Sequence, residues 1–424
     1  MEKLKWCTVQ KRVSDLIPQE VNPRKITDKQ MSDLKKSLSK FNLVEIPAVD
    51  LDGRILAGHQ RIKALQLLGR GEELIDIRIP NRQLTEEEAR RYLIASNALG
   101  GDWDFDKLKT FDLDLLIDIG FDQVDLSHFW DNELETKEEN FDVEEELKKI
   151  KTPITKPGDL IHLGCHRLLC GDSTNPDNLK RLFGKEKASM IFSDPVYNIK
   201  LDYSKGIGGR NDYGGTVNDN RSYEEYKQFI RNSLLAALPN TKPDCHVFYW
   251  CDQTYIGLIQ ELYRELGIVN KRVCLWIKNS QNPTPMIAFN KCYEPAVYGV
   301  KGKPYINADI KNYNEIMNKE LSTGNELFND VYDSLDIWLT KRISGKDYEH
   351  ATSKPPKLYE KAIRRCTKPG DIILDSFSGS ASTIMAGEQL KRKVYAMELE
   401  PIFCDLAIRR YRKLTGRKEE VEHV

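Results

Sequence analysis

Apolar residues in the first hundred positions recur at spacings typical of short helices and strands. Apolar runs at 46–49 and 55–56 are separated by an Asp-Gly turn and predict two short strands. Gly58 opens a second predicted helix, and Thr85 with Glu88 forms a capping-box pattern before a third. The first helix is predicted from a period of three to four residues in Met31, Leu34, Leu38 and Phe41. This part of the chain is therefore expected to be a small α/β domain.

The second half of the chain alternates apolar strands with amphipathic helices. Such alternation favours a mostly parallel, doubly wound sheet with helices on both faces. The predicted helices cover residues 223–238 and 355–366. The predicted strands are Met190–Ser193, Val247–Trp250, Ile372–Asp375 and Val394–Met397. We therefore expect an α/β fold in which a Rossmann-like sheet follows the small α/β domain.

An acidic stretch separates the two patterns. Residues 131–150 hold nine acids and three bases, and a Pro-Gly step follows at Pro157-Gly158. Such composition is typical of a linker. The predicted organisation is a first domain at 1–125, an acidic linker at 126–155 and a second domain at 156–424.

Composition excludes several classes of protein. The 424 residues contain 64 Lys and Arg against 65 Asp and Glu, so the chain is not a polybasic wrapper of nucleic acid. No apolar run is long enough to cross a membrane, and Met1–Val9 lacks the apolar core of a secretory signal. Nine scattered cysteines without a Cys-x-x-Cys pair favour reduced thiols in a cytoplasmic protein. We expect no metal site and no membrane partner.

Residues 371–400 combine a strand, a turn of small residues, a helix and a second strand. The first strand ends at Asp375, the turn contains Gly379, and the second strand ends at Glu398. In nucleotide-binding units of this kind the turn admits a ligand to the backbone, and the later acid can bond ribose hydroxyls. The dinucleotide fingerprint GxGxxG is absent, so an ordinary α/β crossover remains open from this segment alone.

An apolar strand runs directly into Asp194-Pro195-Val196-Tyr197-Asn198. The Asp194 carboxylate and the Pro195 carbonyl can both accept hydrogen bonds, and Tyr197 offers a flat face beside them. These groups can hold the exocyclic amino group of a planar base. A simple strand-ending turn also fits, because Asp-Pro is a common turn sequence.

Taken together, the two motifs resemble the amino-group DNA methyltransferases that use S-adenosylmethionine. The catalytic motif precedes the cofactor motif by 181 residues, which resembles the β group of that family. Three further segments are similar to the family over residues 156–415: LCGDS at 169–173, HATSKP at 350–355 and YAMELEP at 395–401.

The resemblance implies roles for residues of this chain. It implies that an adenine is flipped from double-stranded DNA and held at N6 by Asp194, Pro195, Tyr197 and Asn198. It implies that Lys354 pairs with the methionine carboxylate and that Glu398 binds the ribose. The remaining residues it assigns to the cofactor are Asp172, His350, Asp375, Phe377, Gly379 and Ser380. Two positions depart from the family pattern: Val196 replaces a proline and Ala381 replaces a glycine.

The target atom depends on one position. Family members that methylate cytosine N4 usually carry serine where this chain has Asp194, so adenine N6 is favoured and cytosine N4 is the alternative. A catalytically impaired methyltransferase fold that only binds DNA or nucleotide is a second alternative, motivated by Val196 and Ala381. A restriction partner would be encoded elsewhere, so a restriction–modification role and an orphan methylase both stay open, as does a homodimer.

The N-terminal domain carries its own resemblance. Asn22-Pro23-Arg24-Lys25 and the segment 55–61, ILAGHQR, look like the ParB/sulfiredoxin superfamily over about residues 8–100. The resemblance implies a nucleotide phosphate bound by Gly58, His59 and Arg61. The hydrolysing members usually have Gly-Glu-x-Arg at this position, whereas this chain has Gly58-His59-Gln60-Arg61. A docking or DNA-positioning module without chemistry is therefore the alternative.

Two regions are candidates for DNA contact. Residues 341–368 carry nine Lys and Arg against three acids, a charge that suits phosphates. Residues 199–222 are rich in Gly, Asn and Asp, which is typical of a lid loop. Residues 279–345 occupy the family's place for target recognition. The aromatic residues Trp276, Tyr293 and Trp338 are expected in the core.

Overall fold

The computed structural model divides into two units, residues Met1–Trp130 and Asp131–Val424. None of the described helices is long and apolar enough to cross a bilayer. The described residues are 3–19, 26, 28–96, 105–108, 111, 113–118, 120–131, 134–137, 141–200, 218–282, 291–307, 336–340 and 354–422.

The first unit is a small α/β domain, as its sequence pattern predicts. Its four-stranded sheet has the order β1-β4-β2-β3. The capping box forms as expected, because Glu88 N–H donates to Thr85 Oγ1 at 3.2 Å and Thr85 N–H donates to Glu88 Oε2 at 3.0 Å. The elements are β1 (Trp6–Arg12), α1 (Asp28–Phe41), β2 (Ala48–Val49), β3 (Ile55–Ala57), α2 (His59–Leu67), β4 (Leu74–Pro80), α3 (Glu86–Ala95), α4 (Phe105–Leu108), α5 (Leu113–Asp118) and α6 (Gln123–Trp130).

The second unit is built on a ten-stranded sheet. Among its described elements, the helices are α7 (Val143–Lys148), α8 (Pro176–Phe183), α9 (Tyr223–Ala237), α10 (Ile256–Glu265), α11 (Pro356–Cys366), α12 (Ser382–Gln389) and α13 (Pro401–Thr415). The strands are β5 (Leu160–Leu163), β6 (His166–Cys170), β7 (Ala188–Ser193), β8 (Thr241–Trp250), β9 (Val269–Asn282), β10 (Lys291–Lys301), β11 (Ile337–Leu339), β12 (Ile372–Asp375), β13 (Lys393–Glu398) and β14 (Glu420–Glu422).

The strand order is β11-β9-β10-β8-β7-β12-β13-β6-β5-β14. The five central strands, β8 to β6, are parallel to one another, which confirms the predicted doubly wound sheet. The four strands predicted from the sequence lie within β7, β8, β12 and β13. Antiparallel strands extend both edges, and β10 pairs antiparallel with both β8 and β9. The chain leaves β7 towards β8 and leaves β12 towards β13. The carboxyl ends of β7 and β12 therefore form the switch point where such sheets bind ligands.

Burial on both faces of the sheet explains the apolar runs of its central strands. All six residues of β7 are buried. Phe192, Phe248 and Trp250 pack on one face, and alternate residues such as Ile191 pack on the other. Trp276 and Trp338 lie in the first of these cores, as predicted, whereas Tyr293 is only partly buried.

The stretch predicted as a linker is attached to the second unit by ordered contacts. Asp131 forms a two-point ion pair with Arg392, at 2.6 and 3.0 Å, in which both side chains are buried. Thr136 N–H donates to Glu360 at 2.7 Å. The backbone amides of residues 154 and 155 donate to Asp405 at 2.6 and 3.0 Å. The described part of this segment is therefore an integral part of the second unit.

Candidate active site

Asp194 lies directly after β7, at the carboxyl edge of the sheet. Lys354, just before α11, donates a hydrogen bond from Nζ to Asp194 Oδ2 and another to Tyr197 Oη at 2.9 Å. Tyr197 in turn donates to Asp194 Oδ1 at 3.0 Å. The Lys354 side chain is 7% exposed, so this ion pair is largely shielded from water. The structure thus brings together three of the residues that the sequence assigns to two different tasks.

A second carboxylate, which the sequence analysis did not identify, joins this group. Glu294 lies on β10, and its Oε2 lies 3.1 Å from Tyr197 Oη, where it competes with Asp194 for the single phenol proton, and 3.5 Å from Lys354 Nζ. Lys278 on β9 pairs with the other oxygen, Oε1. The Lys354 ammonium also lies 5.0 Å from the ring centre of Trp250. We call Asp194, Tyr197, Lys278, Glu294 and Lys354 the charged pocket.

Burial and pairing act in opposite directions on the acids of the charged pocket. Burial raises the pKa of Asp194, and Lys354 only partly offsets this increase. Burial would also raise the pKa of Glu294, but Lys354 and Lys278 together outweigh it and hold that pKa below its usual range. Burial and the two carboxylates raise the pKa of Tyr197, which stays a neutral phenol. Glu294 is therefore the more readily ionised of the two acids.

The loop after Asp194 is fixed by its own hydrogen bonds. Tyr226 Oη donates to the Val196 carbonyl at 2.8 Å. Asn198 has φ of 55°, and its N–H donates to Asp219 at 2.7 Å. Among the described residues, no hydrogen bond to the Pro195 carbonyl is found. The loop therefore presents the Asp194 carboxylate and a vacant backbone acceptor side by side, although valine replaces the second proline.

The turn after β12 lies beside this loop, since β12 and β7 are neighbours. Ser376 N–H donates to Ser193 Oγ at 3.3 Å across the two strand ends. Glu398, at the end of β13, accepts from the Gly379 N–H at 2.7 Å and from the Glu400 N–H at 2.9 Å. Each carboxylate oxygen of Glu398 therefore has a lone pair left for a ligand hydroxyl.

This turn fits the predicted cofactor. A Cβ built on Gly379 would meet no atom within 4 Å, so open space lies above the turn. The Ser378 hydroxyl is buried and has no hydrogen-bond partner among the described residues. A buried hydroxyl without a partner is costly unless a ligand or water satisfies it. The two acids near the turn also suit a cationic sulfonium ligand. Burial raises the pKa of both Asp375 and Glu398 to about 7, and a nearby cation would favour their ionised forms.

Ala381, the second departure from the family pattern, has φ of 63° and ψ of 32° at the start of α12. Such a left-handed conformation costs a non-glycine residue roughly 1–2 kcal/mol. The buried Ala381 methyl offsets this by about 0.8 kcal/mol, and alanine restricts the unfolded chain by about 0.4–1 kcal/mol relative to glycine. Since these effects nearly cancel, the departure is compatible with the fold.

The substitution Ala381→Gly should therefore change the free energy of unfolding by less than about 1 kcal/mol. Denaturant unfolding of both proteins measures this difference. A loss of more than about 2 kcal/mol would show that the Ala381 methyl contributes more to the core than its size implies.

The other predicted cofactor residues are placed as follows. Asp172 accepts from Thr174 N–H at 2.8 Å, next to Gly171, whose N–H donates to the Glu398 carbonyl at 2.8 Å. Phe377 packs on Phe229. The Ser380 carbonyl accepts from Arg410 at 2.7 Å. His350 lies outside the described residues, as do most of the predicted lid and of the basic stretch before Lys354.

The predicted phosphate site of the first unit is only partly formed. Gly58 has φ of 94° and precedes α2, with a Cβ position 3.0 Å from Pro47. Arg61 pairs with Glu45 rather than facing an open site. Burial lowers the pKa of His59 to about 4, so its ring is neutral at pH 7. Nucleotide binding at this position stays a prediction.

One group of metal-type ligands occurs among the described residues: Cys165, His166 and Glu388. Val394 N–H donates to His166 Nδ1 at 3.0 Å, so the ring proton lies on Nε2 and faces Glu388 at 3.0 Å. A metal would need that nitrogen free of its proton. The geometry therefore describes an internal hydrogen bond that joins β6 to α12.

Comparison with known proteins identifies a family and several similar chains. The profile of a family described as DNA methylase matches residues 188–409. The Type II methyltransferase M2.DpnII of Streptococcus pneumoniae is 27% identical over 243 residues, which cover 53% of this chain and 82% of that protein. The solved complex of M1.HpyAVI with SAM is 24% identical and covers 57% of this chain and 98% of its own, with a TM-score of 0.39. A Pnob8-like ParB-N domain is 15% identical over 22% of this chain and 36% of its own, with a TM-score of 0.19.

Proposed function

Because the chain belongs to the DNA methylase family that modifies N6 and N4 amino groups, we propose that it methylates N6 of adenine at a specific sequence in double-stranded DNA. The family places it among the S-adenosylmethionine-dependent DNA methyltransferases. The observation that carries the adenine assignment is that Asp194, rather than a serine, stands beside the Pro195 carbonyl, to which no hydrogen bond is found among the described residues.

These two acceptors suit an exocyclic amino group. The amino nitrogen of adenine is a poor nucleophile because its lone pair is delocalised into the ring. Asp194 and the Pro195 carbonyl each accept one amino hydrogen, which fixes the nitrogen and moves its geometry towards tetrahedral. Most of the rate gain in such a reaction comes from orientation and charge placement.

The base has to leave the duplex to reach Asp194, since the amino group of a stacked adenine is paired. Tyr197 supplies a ring face for the extruded base, and Asn198 fixes the loop that carries both acceptors. S-Adenosylmethionine supplies an electrophilic methyl group on a sulfonium. Glu398 accepts hydrogen bonds from the ribose hydroxyls through its remaining lone pairs, while the Gly379 turn gives the ligand access to the backbone.

Expression in a methylation-deficient bacterial host, followed by sequencing that reports modified bases, tests this function. The expected result is N6-methyladenine in one short sequence and in no other context. The Asp194→Ala protein, expressed at the same level, is the control and should leave the genome unmodified.

Each other outcome points to a different conclusion. N4-methylcytosine would preserve the family and the mechanism but refute the adenine assignment. An unmodified genome with soluble wild-type protein would favour the catalytically impaired alternative.

A further inference from the structure

The charged pocket presents a difficulty for the proposed reaction. Lys354 Nζ already donates to Asp194 Oδ2, one of the oxygens that the target amino group needs. An ammonium bound to a carboxylate competes directly with a neutral amino group, because the charged donor forms the stronger hydrogen bond. The ammonium also offsets the negative charge of the carboxylate, so Asp194 accepts an amino hydrogen more strongly once Lys354 has moved away.

Glu294 offers the displaced ammonium a second position. Its Oε2 lies 3.5 Å from Lys354 Nζ, so a small movement of a flexible side chain is enough for direct contact. Tyr197 Oη connects the two acids, at 3.0 Å from Asp194 and 3.1 Å from Glu294. The phenol can therefore remain bonded to one acid while the ammonium moves to the other.

Charge balance explains why a second acid is needed. Lys354 and Lys278 face Asp194 and Glu294, so the charged pocket is neutral when all four groups are ionised. An ammonium moved away from Asp194 without another carboxylate would be a buried, unpaired charge, which is strongly unfavourable. The lowered pKa of Glu294 agrees with an acid that is ionised and ready to accept this cation.

We propose that Glu294 is a positioning residue that takes Lys354 from Asp194 when the target amino group arrives, which frees the catalytic carboxylate. This inference rests on the proposed amino-group methylation, whether the base is adenine or cytosine. It assigns Lys354 two positions, one on each acid. It also gives a function to Glu294, which belongs to none of the sequence motifs.

The first test replaces the charge of Glu294 and keeps its shape. Glu294→Gln should lower the methylation rate at saturating DNA and cofactor by about 30-fold, because Lys354 stays on Asp194. It should also move the acidic limb of the pH–rate profile to lower pH by about one unit, because a negative neighbour of Asp194 is lost. The groups facing Asp194 that stay the same in this variant are Lys354, Tyr197, Cys251, Tyr359 and Asp375.

Two variants serve as controls for this measurement. Glu294→Asp keeps the charge and should retain the wild-type position of the acidic limb. Glu360→Gln removes another buried acid, whose partners are Thr136, Lys357 and Arg364, and should leave the limb unmoved. An unchanged rate in Glu294→Gln, or a lower rate without a shifted limb, would overturn the proposal, since a purely structural role affects only the rate.

A double-mutant cycle with Lys354→Met separates this proposal from the proposed function. If Glu294 acts through Lys354, the Glu294→Gln substitution should have no further effect on the rate once Lys354 is replaced. The same four proteins can be unfolded without DNA or cofactor. The two substitutions should then be coupled by about tenfold in the folding equilibrium constant, because the opposite charges that they remove lie 3.5 Å apart in a largely buried pocket.

Unfolding equilibria of this kind do not depend on activity. Additive effects on unfolding would overturn the pairing of Glu294 with Lys354 even in an active enzyme. Coupled unfolding in a protein that modifies no DNA would refute the proposed function alone.

Discussion

Replacing Asp194 by alanine is expected to reduce the methylation rate by about 10³-fold, or about 4 kcal/mol in the activation barrier. The carboxylate is one of the two acceptors that orient the amino group, and losses of this size are typical when a preorganised electrostatic partner is removed. Steady-state methylation of DNA carrying the identified target sequence measures the effect.

The structure also predicts that the Asp194→Ala protein remains folded. Lys354 still has Glu294 at 3.5 Å, so its ammonium does not become an isolated buried charge. Cofactor affinity, measured by calorimetry, should change by less than about threefold, because Glu398 is held by the backbone amides of Gly379 and Glu400 and not by Asp194. A variant that retained more than a tenth of the wild-type rate would refute the assigned role of Asp194.

Glu398 should make cofactor affinity strongly dependent on pH. Burial raises the pKa of this carboxyl to about 7, and that of neighbouring Asp375 to about 7 as well. An ionised carboxylate accepts hydrogen bonds from the ribose hydroxyls and attracts the sulfonium. The protonated acid is a weaker acceptor and carries no charge to attract the cation. Affinity for S-adenosylmethionine should therefore increase by about tenfold between pH 6 and pH 8.

The variant Glu398→Gln tests this assignment. We expect affinity to fall by about 10- to 100-fold at pH 8 and its rise with pH to become smaller, with the remainder due to Asp375. Isothermal titration at several pH values measures both effects. Glu400→Gln, two residues further along the chain and less buried, is the matched control and should keep the wild-type affinity within about threefold. A pure loss of turnover with unchanged affinity would contradict the ribose assignment.

The same raised pKa has a consequence for stability, with the opposite sign from an ordinary ion-paired acid. The folded protein holds the Glu398 proton more tightly than the unfolded chain does. The contribution of this carboxyl to the free energy of unfolding is therefore fully present below about pH 4.5 and is lost as the pH rises through about 7. The difference between 4.5 and about 7 corresponds to about 3 kcal/mol for the ligand-free protein. Binding of a cationic cofactor offsets this loss.

The sequence located the parts of the site that lie on single short segments. Asp194 directly follows one apolar strand and Asp375 ends another, so their motifs identify both the residue and its place at the sheet edge. Parallel strands bring these ends together, which is why positions 181 residues apart could be assigned to one site.

Residues whose place in the site depends on long-range packing are not marked in the sequence. Glu294 and Lys278 lie within long antiparallel strands, 97 and 81 residues from Tyr197 in the chain, and no local motif marks them. Lys354 was assigned to the cofactor from its motif alone, whereas the structure places its ammonium on Asp194. Strands β1 and β4 were also missed, because their pairing becomes visible only when residues about 70 positions apart are aligned.

The buried pair of Asp131 and Arg392 bears on how this chain can be divided or recombined with relatives. Arg392 also donates to the Thr367 carbonyl at 2.8 Å, so its guanidinium is built into the framework between α11 and β13. A cut at residue 156, which composition alone suggests, would remove the only carboxylate described on that guanidinium and the Thr136 contact to α11. Chimaeras that exchange the first unit for that of a relative should therefore be joined before residue 131. The acidic segment would then remain with the catalytic half that it completes.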